Sequence, residues 1–88
     1  MENRPFAGIC VGDSASLVRR VTERDIQLFA AVSGDVNPAH VDALYAKTSH
    51  FRKIIAHGML GGSLISTVLG TQLPGPGTIY LGQTLKFL

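Results

Sequence analysis

The feature that most constrains this chain is a long stretch without charge. No Asp, Glu, Lys or Arg occurs from Ile54 to Leu85. Within it, residues 59–69 place apolar side chains on every side of a helix, with only Gly, Ser and Thr between them. Such a helix has no face for well-solvated groups, so other structure must cover it. The pattern therefore predicts a buried helix, with the rest of the chain arranged around it.

A membrane-spanning helix is one alternative for this stretch. Gln72, Pro74 and Pro76 interrupt the apolar run, and the uninterrupted helical part is about 13 residues long where a span needs about 20. Gly58 and Gly62 form a GxxxG motif, but that motif carries little weight outside a clear span. The sequence therefore predicts no membrane association, and a core helix without chemistry stays open as a second alternative.

Length and composition bear on domain number and assembly. The 88 residues form at most one domain, over positions 1–88, and a chain this short buries only about 60–65% of its unfolded surface. With 45% hydrophobic and 16% charged residues, the composition is globular and slightly apolar for this size. We therefore expect a homo-oligomer, a dimer or larger, in which apolar surface meets another subunit.

Charge and cysteine usage bear on partners and compartment. The net charge is only +2, and the Lys and Arg residues are dispersed rather than striped along one helix, so we predict no nucleic-acid partner. Cys10 is the only cysteine, which excludes an internal disulfide and a thiolate metal cluster and fits a reducing compartment. The residues after Met1 begin no apolar signal segment. We therefore expect a cytoplasmic protein.

The first half of the chain carries a strand signal followed by a helix signal. Residues 14–21 follow a Val-Gly-Asp turn and form a candidate strand. The next residues, from Thr22 to Asp25, resemble a capping box with Asp in place of Glu. Helical spacing of apolar residues continues up to Gly34, which is placed to end the helix. We predict an amphipathic helix here.

A turn, a short helix and a final strand complete the pattern. Residues 35–38 form a turn, because Pro disfavours helix at the residue before it, and residues 41–47 form a short second helix. After the buried helix, residues 73–77 are a Pro-Gly loop, and residues 78–88 alternate as a strand. That strand runs to Leu88 with an unpaired apolar edge, so we expect the chain to be cut short there.

One turn brings together residues that can carry chemistry. Asp35 and His40 flank a turn stiffened by Pro38, so a carboxylate and an imidazole can face one pocket and act on one water. Taken singly, an Asp after a helix-ending Gly is most often a turn residue, and a lone His is most often structural. Asn37 most simply fixes the turn. The candidate catalytic pair is therefore Asp35 and His40, with Asn37 and Pro38 as its supporting turn.

The start of the buried helix is a second candidate feature. Free backbone N–H groups at a helix N-terminus suit an oxygen that becomes negative during a reaction, and Gly58 is placed to supply one. His57 is expected to pack or to hydrogen-bond before the helix. His40, His50 and His57 lack the spacing of metal ligands, so we predict no metal site. No nucleophile elbow surrounds Ser66, so we do not expect it to act as a nucleophile. Its simplest role is that of a small residue that allows close packing.

Three short motifs stand out when the chain is taken as a whole. They are Gly-Asp-Val-Asn-Pro-Ala-His at 34–40, Ala-His-Gly-Met at 56–59 and Pro-Gly-Thr-Ile-Tyr-Leu-Gly-Gln at 76–83. Together they resemble the MaoC-like, (R)-specific enoyl-CoA hydratase family, and the similarity covers nearly the whole chain. More narrowly, the chain looks like the hydratase domain that precedes a phosphate acetyltransferase domain in some bacterial bifunctional proteins.

The resemblance implies a fold and a reaction. The family has the α+β hot-dog fold, in which an antiparallel sheet wraps a long central helix, here residues 58–70. The positions matching Asp35 and His40 activate a water that adds to a trans-2-enoyl-CoA thioester and gives the (R)-3-hydroxyacyl-CoA, or run the reverse dehydration. The N–H matching Gly58 holds the thioester oxygen, and Ser66 matches a substrate-binding position that lines the site. No cofactor is implied, since coenzyme A is part of the substrate.

Length is the departure from the family pattern. Complete members continue past Leu88 into strands that finish the sheet, so the fold looks truncated there. The missing strands would come from further polypeptide or from another copy of the chain. Two other functions stay open: a hot-dog acyl-CoA thioesterase, because a fold does not fix its chemistry, and a non-catalytic acyl-CoA-binding or assembly fragment.

Overall fold

A computed structural model describes all 88 residues of the chain. It contains four α-helices, α1 (Glu23–Ser33), α2 (Pro38–Val41), α3 (Ala43–Thr48) and α4 (Gly58–Thr71), and a 3-10 turn at Phe6–Gly8. The chain divides into two compact units. Residues Arg19–Leu60 form the helical unit, and Met1–Val18 together with Gly61–Leu88 form the terminal unit. Helix α4 begins in the first of these and continues in the second.

Helix α1 begins and ends at the residues that the sequence predicts. The Thr22 hydroxyl accepts a hydrogen bond from the Asp25 N–H at 3.2 Å, and the Asp25 carboxylate accepts one from the Thr22 N–H at 2.9 Å. This reciprocal pair satisfies two N–H groups that the helix leaves without partners. Gly34 ends the helix with φ of 77° and donates its N–H to the Ala30 carbonyl. The predicted capping box and glycine stop are confirmed.

The predicted short helix over 41–47 is wrong in its extent, because two shorter helices, α2 and α3, occupy this region. Asp42 lies between them with extended backbone angles (φ −118°, ψ 105°). Its carboxylate accepts hydrogen bonds from the N–H groups of Leu44 and Tyr45. An Asp side chain that bonds the following N–H groups favours a cap over a helix interior, so it ends α2 and begins α3.

The helical unit has a small core. Helix α1 packs against α2, and α2 packs against α3. The buried apolar side chains are Ile26, Ala30 and Ala46. Each removes only a modest area from water, so capping and turn hydrogen bonds contribute much of the local order in this unit.

In the terminal unit the N-terminal residues dock on the Pro-Gly loop. The Arg4 N–H donates to the Pro74 carbonyl at 2.6 Å, and the Asn3 side-chain oxygen accepts from the Gly77 N–H at 3.2 Å. The Leu73–Pro74 peptide bond is cis, and Gly75 has φ of 101°. Residues 73–77 therefore form the predicted loop, with the first residues of the chain packed against it.

The predicted strands are absent from the structure. Neither residues 14–21 nor residues 78–88 form a strand, so the antiparallel sheet of the expected α+β fold is not present. Val18 is 97% exposed and Leu81 is 95% exposed. A strand exists through hydrogen bonds to a neighbouring strand, and neither segment has one here. The sequence pattern indicates which side chains suit a sheet but supplies no partner.

Helix α4 confirms the predicted helix over 58–70 but not its burial. Gly62 is its only buried residue, while Met59 and Ile65 are about half exposed. The physical reason is the missing sheet, since the apolar faces of a central helix are covered by the layer that wraps it. None of the four helices has both the length and the apolarity needed to cross a bilayer.

Candidate functional site

Three side chains of the helical unit converge on one place. One carboxylate oxygen of Asp35 and one ring nitrogen each of His40 and His57 all lie within 4.8 Å of one another. We call this group the Asp-His-His cluster. Asp35 follows α1, His40 belongs to α2, and His57 immediately precedes α4. The structure thus brings the predicted pair together and adds His57 to it.

The turn after α1 fixes Asp35. Its N–H donates to the Ser33 hydroxyl at 3.1 Å, and its Oδ1 accepts from the Asn37 N–H at 3.2 Å. The Asn37 side chain in turn accepts from the Ala39 N–H at 3.0 Å and caps α2, whose first residue is Pro38. These local bonds leave Oδ2 of Asp35 without a protein donor. The exposed Asp35 carboxylate therefore has an oxygen free to hold another group.

His40 is held by the segment that leads into α4. Its Nδ1 lies 2.7 Å from the Ile55 carbonyl oxygen, and the Ile55 N–H donates to the Ala39 carbonyl at 3.2 Å. A carbonyl only accepts, so we assign the proton of the neutral ring to Nδ1. Nε2 of His40 then carries a lone pair. A half-buried imidazole with a free lone pair is suited to accept a proton from water.

His57 is the buried member of the cluster. It is 4% exposed, and its Nε2 lies 2.9 Å from the Asp35 carbonyl oxygen. Its ring stacks on that of His40, with centroids 3.8 Å apart and planes at 24°, and lies 4.9 Å from the ring of Phe29. By the same reasoning the proton belongs to Nε2, and Nδ1 is a buried acceptor with no donor. The expectation that His57 packs and hydrogen-bonds before the helix is confirmed.

The first turn of α4 presents backbone donors beside the cluster's last member. Gly58 directly follows His57 and is the first residue of α4, so its N–H has no acceptor within the helix. The His57 carbonyl accepts from the Leu60 N–H at 3.0 Å. Ser66 is an exposed residue of α4 in the terminal unit. The predicted roles of Gly58 and Ser66 stay predictions.

The cluster has ligand types that a divalent metal accepts, but not their usual geometry. A structural or catalytic zinc requires ring nitrogens that converge on one point about 2.0–2.1 Å away. Here the two imidazole rings are stacked with their centroids 3.8 Å apart and their planes at 24°, so their in-plane lone pairs lie in two separate, nearly parallel planes and do not converge on one point. Nδ1 of His40 and Nε2 of His57 are also engaged with carbonyls. The arrangement favours proton transfer over metal binding.

Sequence reasoning missed the contact between His57 and His40. The two rings are brought together by bonds between segments far apart in sequence, which no local pattern reports. One signal was present, because a histidine within a charge-free stretch that is to be buried must find a hydrogen-bond partner. That signal predicts a partner without identifying it.

Comparisons with known proteins identify the family of this chain. Residues 13–88 match the family described as MaoC like domain. The chain is 57% identical over 82 residues to an (R)-specific enoyl-CoA hydratase from Rhodospirillum rubrum, covering 93% of this chain and 57% of that protein. It is 51% identical over 77 residues to an (R)-specific enoyl-CoA hydratase from Aeromonas caviae, covering 88% of this chain and 58% of that protein.

The solved structures give the same assignment. An unliganded R-hydratase from Pseudomonas aeruginosa matches with a TM-score of 0.93 and 60% identity, covering 98% of this chain and 56% of that one. The chain thus spans a little over half the length of each of these three proteins. The narrower resemblance to a bifunctional protein is not tested by these matches and stays a prediction. From its sequence motifs, its structure and these matches, the chain belongs to the MaoC-like domain family.

Proposed function

We propose that this protein hydrates trans-2-enoyl-CoA thioesters to (R)-3-hydroxyacyl-CoA, or runs the reverse dehydration. The observation that carries the proposal is the Asp35–His40 pair, in which a carboxylate oxygen and a ring nitrogen lie within 4.8 Å of each other, and each side chain keeps one polar atom that makes no local hydrogen bond. The names of the (R)-specific hydratases that the chain matches support it. The substrate is an acyl-CoA thioester, and the chemistry calls for no cofactor beyond the coenzyme A of the substrate.

The reaction adds one water across a carbon–carbon double bond. Asp35 Oδ2 and His40 Nε2 hold the water, its oxygen bonds to the β-carbon, and one of its protons passes to the pair as the O–H bond breaks. The pair then delivers a proton to the α-carbon, so atoms and charge balance at the end of the cycle. A neutral His40 with its lone pair on Nε2 is the form required for the first step.

Charge develops on the thioester oxygen between these two proton transfers. We assign the Gly58 N–H to this oxygen, because Gly58 is the first residue of α4 and its N–H points out of the positive end of the helix without an acceptor inside it. Loss of one such donor typically raises a barrier by about 3 kcal/mol. Ser66, further along α4, is assigned to the wall of the substrate site, while Asn37 and Pro38 hold the turn that carries Asp35.

The same proposal includes the fold and assembly in which the site works. Residues 14–21 and 78–88 pair into an antiparallel sheet that wraps α4, as in the hot-dog fold. The high TM-score to an R-hydratase and the exposed apolar faces of Met59 and Ile65 support this. We further propose a homo-oligomer in the cytoplasm, with no nucleic-acid or membrane partner. Sedimentation of the protein as a monomer at all concentrations would contradict the assembly.

The activity test follows the absorbance of a conjugated enoyl thioester. Purified protein is mixed with crotonyl-CoA, and hydration removes the conjugated chromophore. Chiral analysis of the product is expected to give the (R) isomer. If free coenzyme A thiol is released and no hydrated product forms, the protein is a thioesterase and not a hydratase.

A non-catalytic acyl-CoA-binding protein is the second candidate, favoured by the exposure of α4. Met59 is 50% exposed and Ile65 is 48% exposed, so an acyl chain lying along α4 would remain open to water. Saturable acyl-CoA binding without turnover, unchanged by Asp35→Asn, would support this function over the first.

A further inference from the structure

We propose that His57 is a positioning residue that holds the Asp35 backbone and the His40 ring in their working geometry. Its effect on turnover rests on the proposed function, whereas its anchoring contacts do not. Nε2 of His57 lies 2.9 Å from the Asp35 carbonyl oxygen, and its ring stacks on His40 with centroids 3.8 Å apart. One buried side chain thus contacts both members of the pair.

The two histidines hold each other's segments. His40 donates from Nδ1 to the carbonyl of Ile55, two residues before His57, and His57 donates from Nε2 to the carbonyl of Asp35, five residues before His40. The Ile55 N–H also donates to the Ala39 carbonyl. Because each ring is fixed to the backbone of the other's segment, a shift of either segment breaks a hydrogen bond on both sides.

These crossed bonds also determine which nitrogens carry protons. With Nδ1 of His40 and Nε2 of His57 facing carbonyls, each ring is held in one tautomer. The tautomer of His40 is the one that leaves Nε2 free for water. The bond from His57 to the Asp35 carbonyl fixes the backbone that carries the partner carboxylate. Both halves of the pair therefore depend on the contact between these segments.

Packing alone does not account for a histidine at this position. Nδ1 of His57 is buried and has no hydrogen-bond donor, which costs stability relative to an apolar ring of the same size. Phe29 already provides an aromatic neighbour at 4.9 Å, so an apolar ring would suit the site at least as well. What only a polar side chain supplies is the hydrogen bond to Asp35.

Two substitutions separate the hydrogen bond from the stacked ring. Gln keeps an amide N–H that reaches the position of His Nε2 but has no aromatic face. Phe keeps the aromatic face against His40 but removes the donor and the unpaired Nδ1. His57→Phe therefore removes the hydrogen bond and keeps an aromatic ring, whereas His57→Gln keeps a donor and removes the ring contacts with His40 and Phe29.

The first measurement is kcat and KM on crotonyl-CoA, with the midpoint of urea unfolding for each protein. For His57→Phe we expect kcat to fall about tenfold to a hundredfold, as for a small misplacement of reacting groups, with KM within about twofold of the native value. For His57→Gln we expect kcat to stay within about fivefold of the native value. The unfolding midpoints are expected in the opposite order, with His57→Phe the more stable variant.

A purely structural role of His57 would not make the more stable of the two variants the less active one. If His57 only packs, kcat falls in whichever variant is less stable and stays native in the other. A His57→Phe protein with native kcat overturns the proposal, and so does a kcat that follows the unfolding midpoint in both variants.

A second measurement does not depend on turnover. Backbone order parameters of Asp35 and Asn37 are expected near about 0.85 in the native protein and in His57→Gln, and below about 0.6 in His57→Phe. If the native protein does not hydrate crotonyl-CoA but this loop loosens in His57→Phe, the hydratase proposal fails and the anchoring role stands. If hydration occurs and both kcat and the loop are unchanged in His57→Phe, the His57 proposal fails and the hydratase stands.

Discussion

The helical unit and the terminal unit differ in how their backbone groups find partners. In the helical unit, the side chains of Thr22, Asn37 and Asp42 each accept from a backbone N–H two or three residues ahead. In the terminal unit, residues 78–88 have no strand partner, and order comes from N-terminal residues docked on the loop at 73–77. Caps and turns form from local sequence, whereas a sheet requires a second segment.

The largest expected effect tests whether the chemistry resides in the helical unit. Asp35→Asn keeps the oxygen that accepts from the Asn37 N–H but removes the charge. We expect the rate of crotonyl-CoA hydration to fall about a thousandfold, with unchanged helix content in circular dichroism. His40→Ala is expected to have a similar effect.

Asp42→Asn is the matched control for this prediction. Asp42 is an exposed carboxylate of the same unit that caps α3, and Asn caps as well. We expect hydration within about twofold of the native rate, since no proton transfer is assigned to it. If the Asp35→Asn protein is as active as the Asp42→Asn protein, Asp35 is not a catalytic residue and the prediction that the helical unit carries the chemistry is wrong.

The next effect tests the order of the terminal unit. Gly75 has φ of 101°, and a Cβ there would lie 3.2 Å from Cα of Asn3 and closer still to the Glu2 carbonyl. Gly75→Ala should therefore reduce the free energy of unfolding by about 2–3 kcal/mol. Gly34→Ala is the comparison in the helical unit, since its φ is 77° but its Cβ meets nothing, and we expect about 1 kcal/mol. Equal losses in urea unfolding would show that N-terminal docking adds nothing.

A smaller effect tests the local caps. Thr22→Ala removes the hydroxyl that accepts from the Asp25 N–H, and we expect a loss of about 1 kcal/mol in the free energy of unfolding. Thr22→Ser keeps the hydroxyl and should restore most of it. If Ser is as destabilising as Ala, the methyl group rather than the cap is responsible.

The contribution of the Asp25 carboxylate in this cap to stability depends on pH, and the direction of its pKa shift determines the sign of that dependence. The hydrogen bond from the Thr22 backbone N–H, followed by contacts with the Thr22 side chain and Arg19, lowers the pKa of Asp25 below 3.8. A lowered pKa in the folded state means that this contribution is present above pH 3.8 and is lost as pH falls through the folded value. In urea unfolding from pH 5 to pH 2, we expect Asp25→Asn to lessen the loss of stability. An unchanged pH slope would contradict this.

The smallest expected effect concerns the segment that lacks a partner. Leu81 is 95% exposed, so Leu81→Lys should change the unfolding free energy of the dilute chain by no more than about 0.5 kcal/mol. If residues 78–88 pair with another segment on assembly, the same substitution should weaken self-association in sedimentation. A large loss of stability in the dilute chain would mean that this segment is already packed.

Prediction from sequence succeeded where the determinants are close together along the chain. The capping box at Thr22, the helix end at Gly34 and the helix from Gly58 follow from residues within one turn of each element. The break at Asp42 was missed because its two capping bonds compete with helix continuation. The contact between His57 and His40 was also missed, since its anchors lie in separate segments. The sheet was predicted from alternation and from the family resemblance, and neither supplies a pairing partner for these segments.

The crossed imidazole–carbonyl bonds have a consequence for how such a site can be inherited. The backbone groups that hold the two histidine rings, at Asp35, Ala39 and Ile55, and the Ser33 hydroxyl that holds the Asp35 N–H all lie within residues 33–58. Recombination or gene fusion with breakpoints outside that run leaves the whole set of anchors intact. A protein engineer can therefore treat residues 33–58 as a transplantable cassette, supplied with an aromatic neighbour in place of Phe29 and a new covering layer.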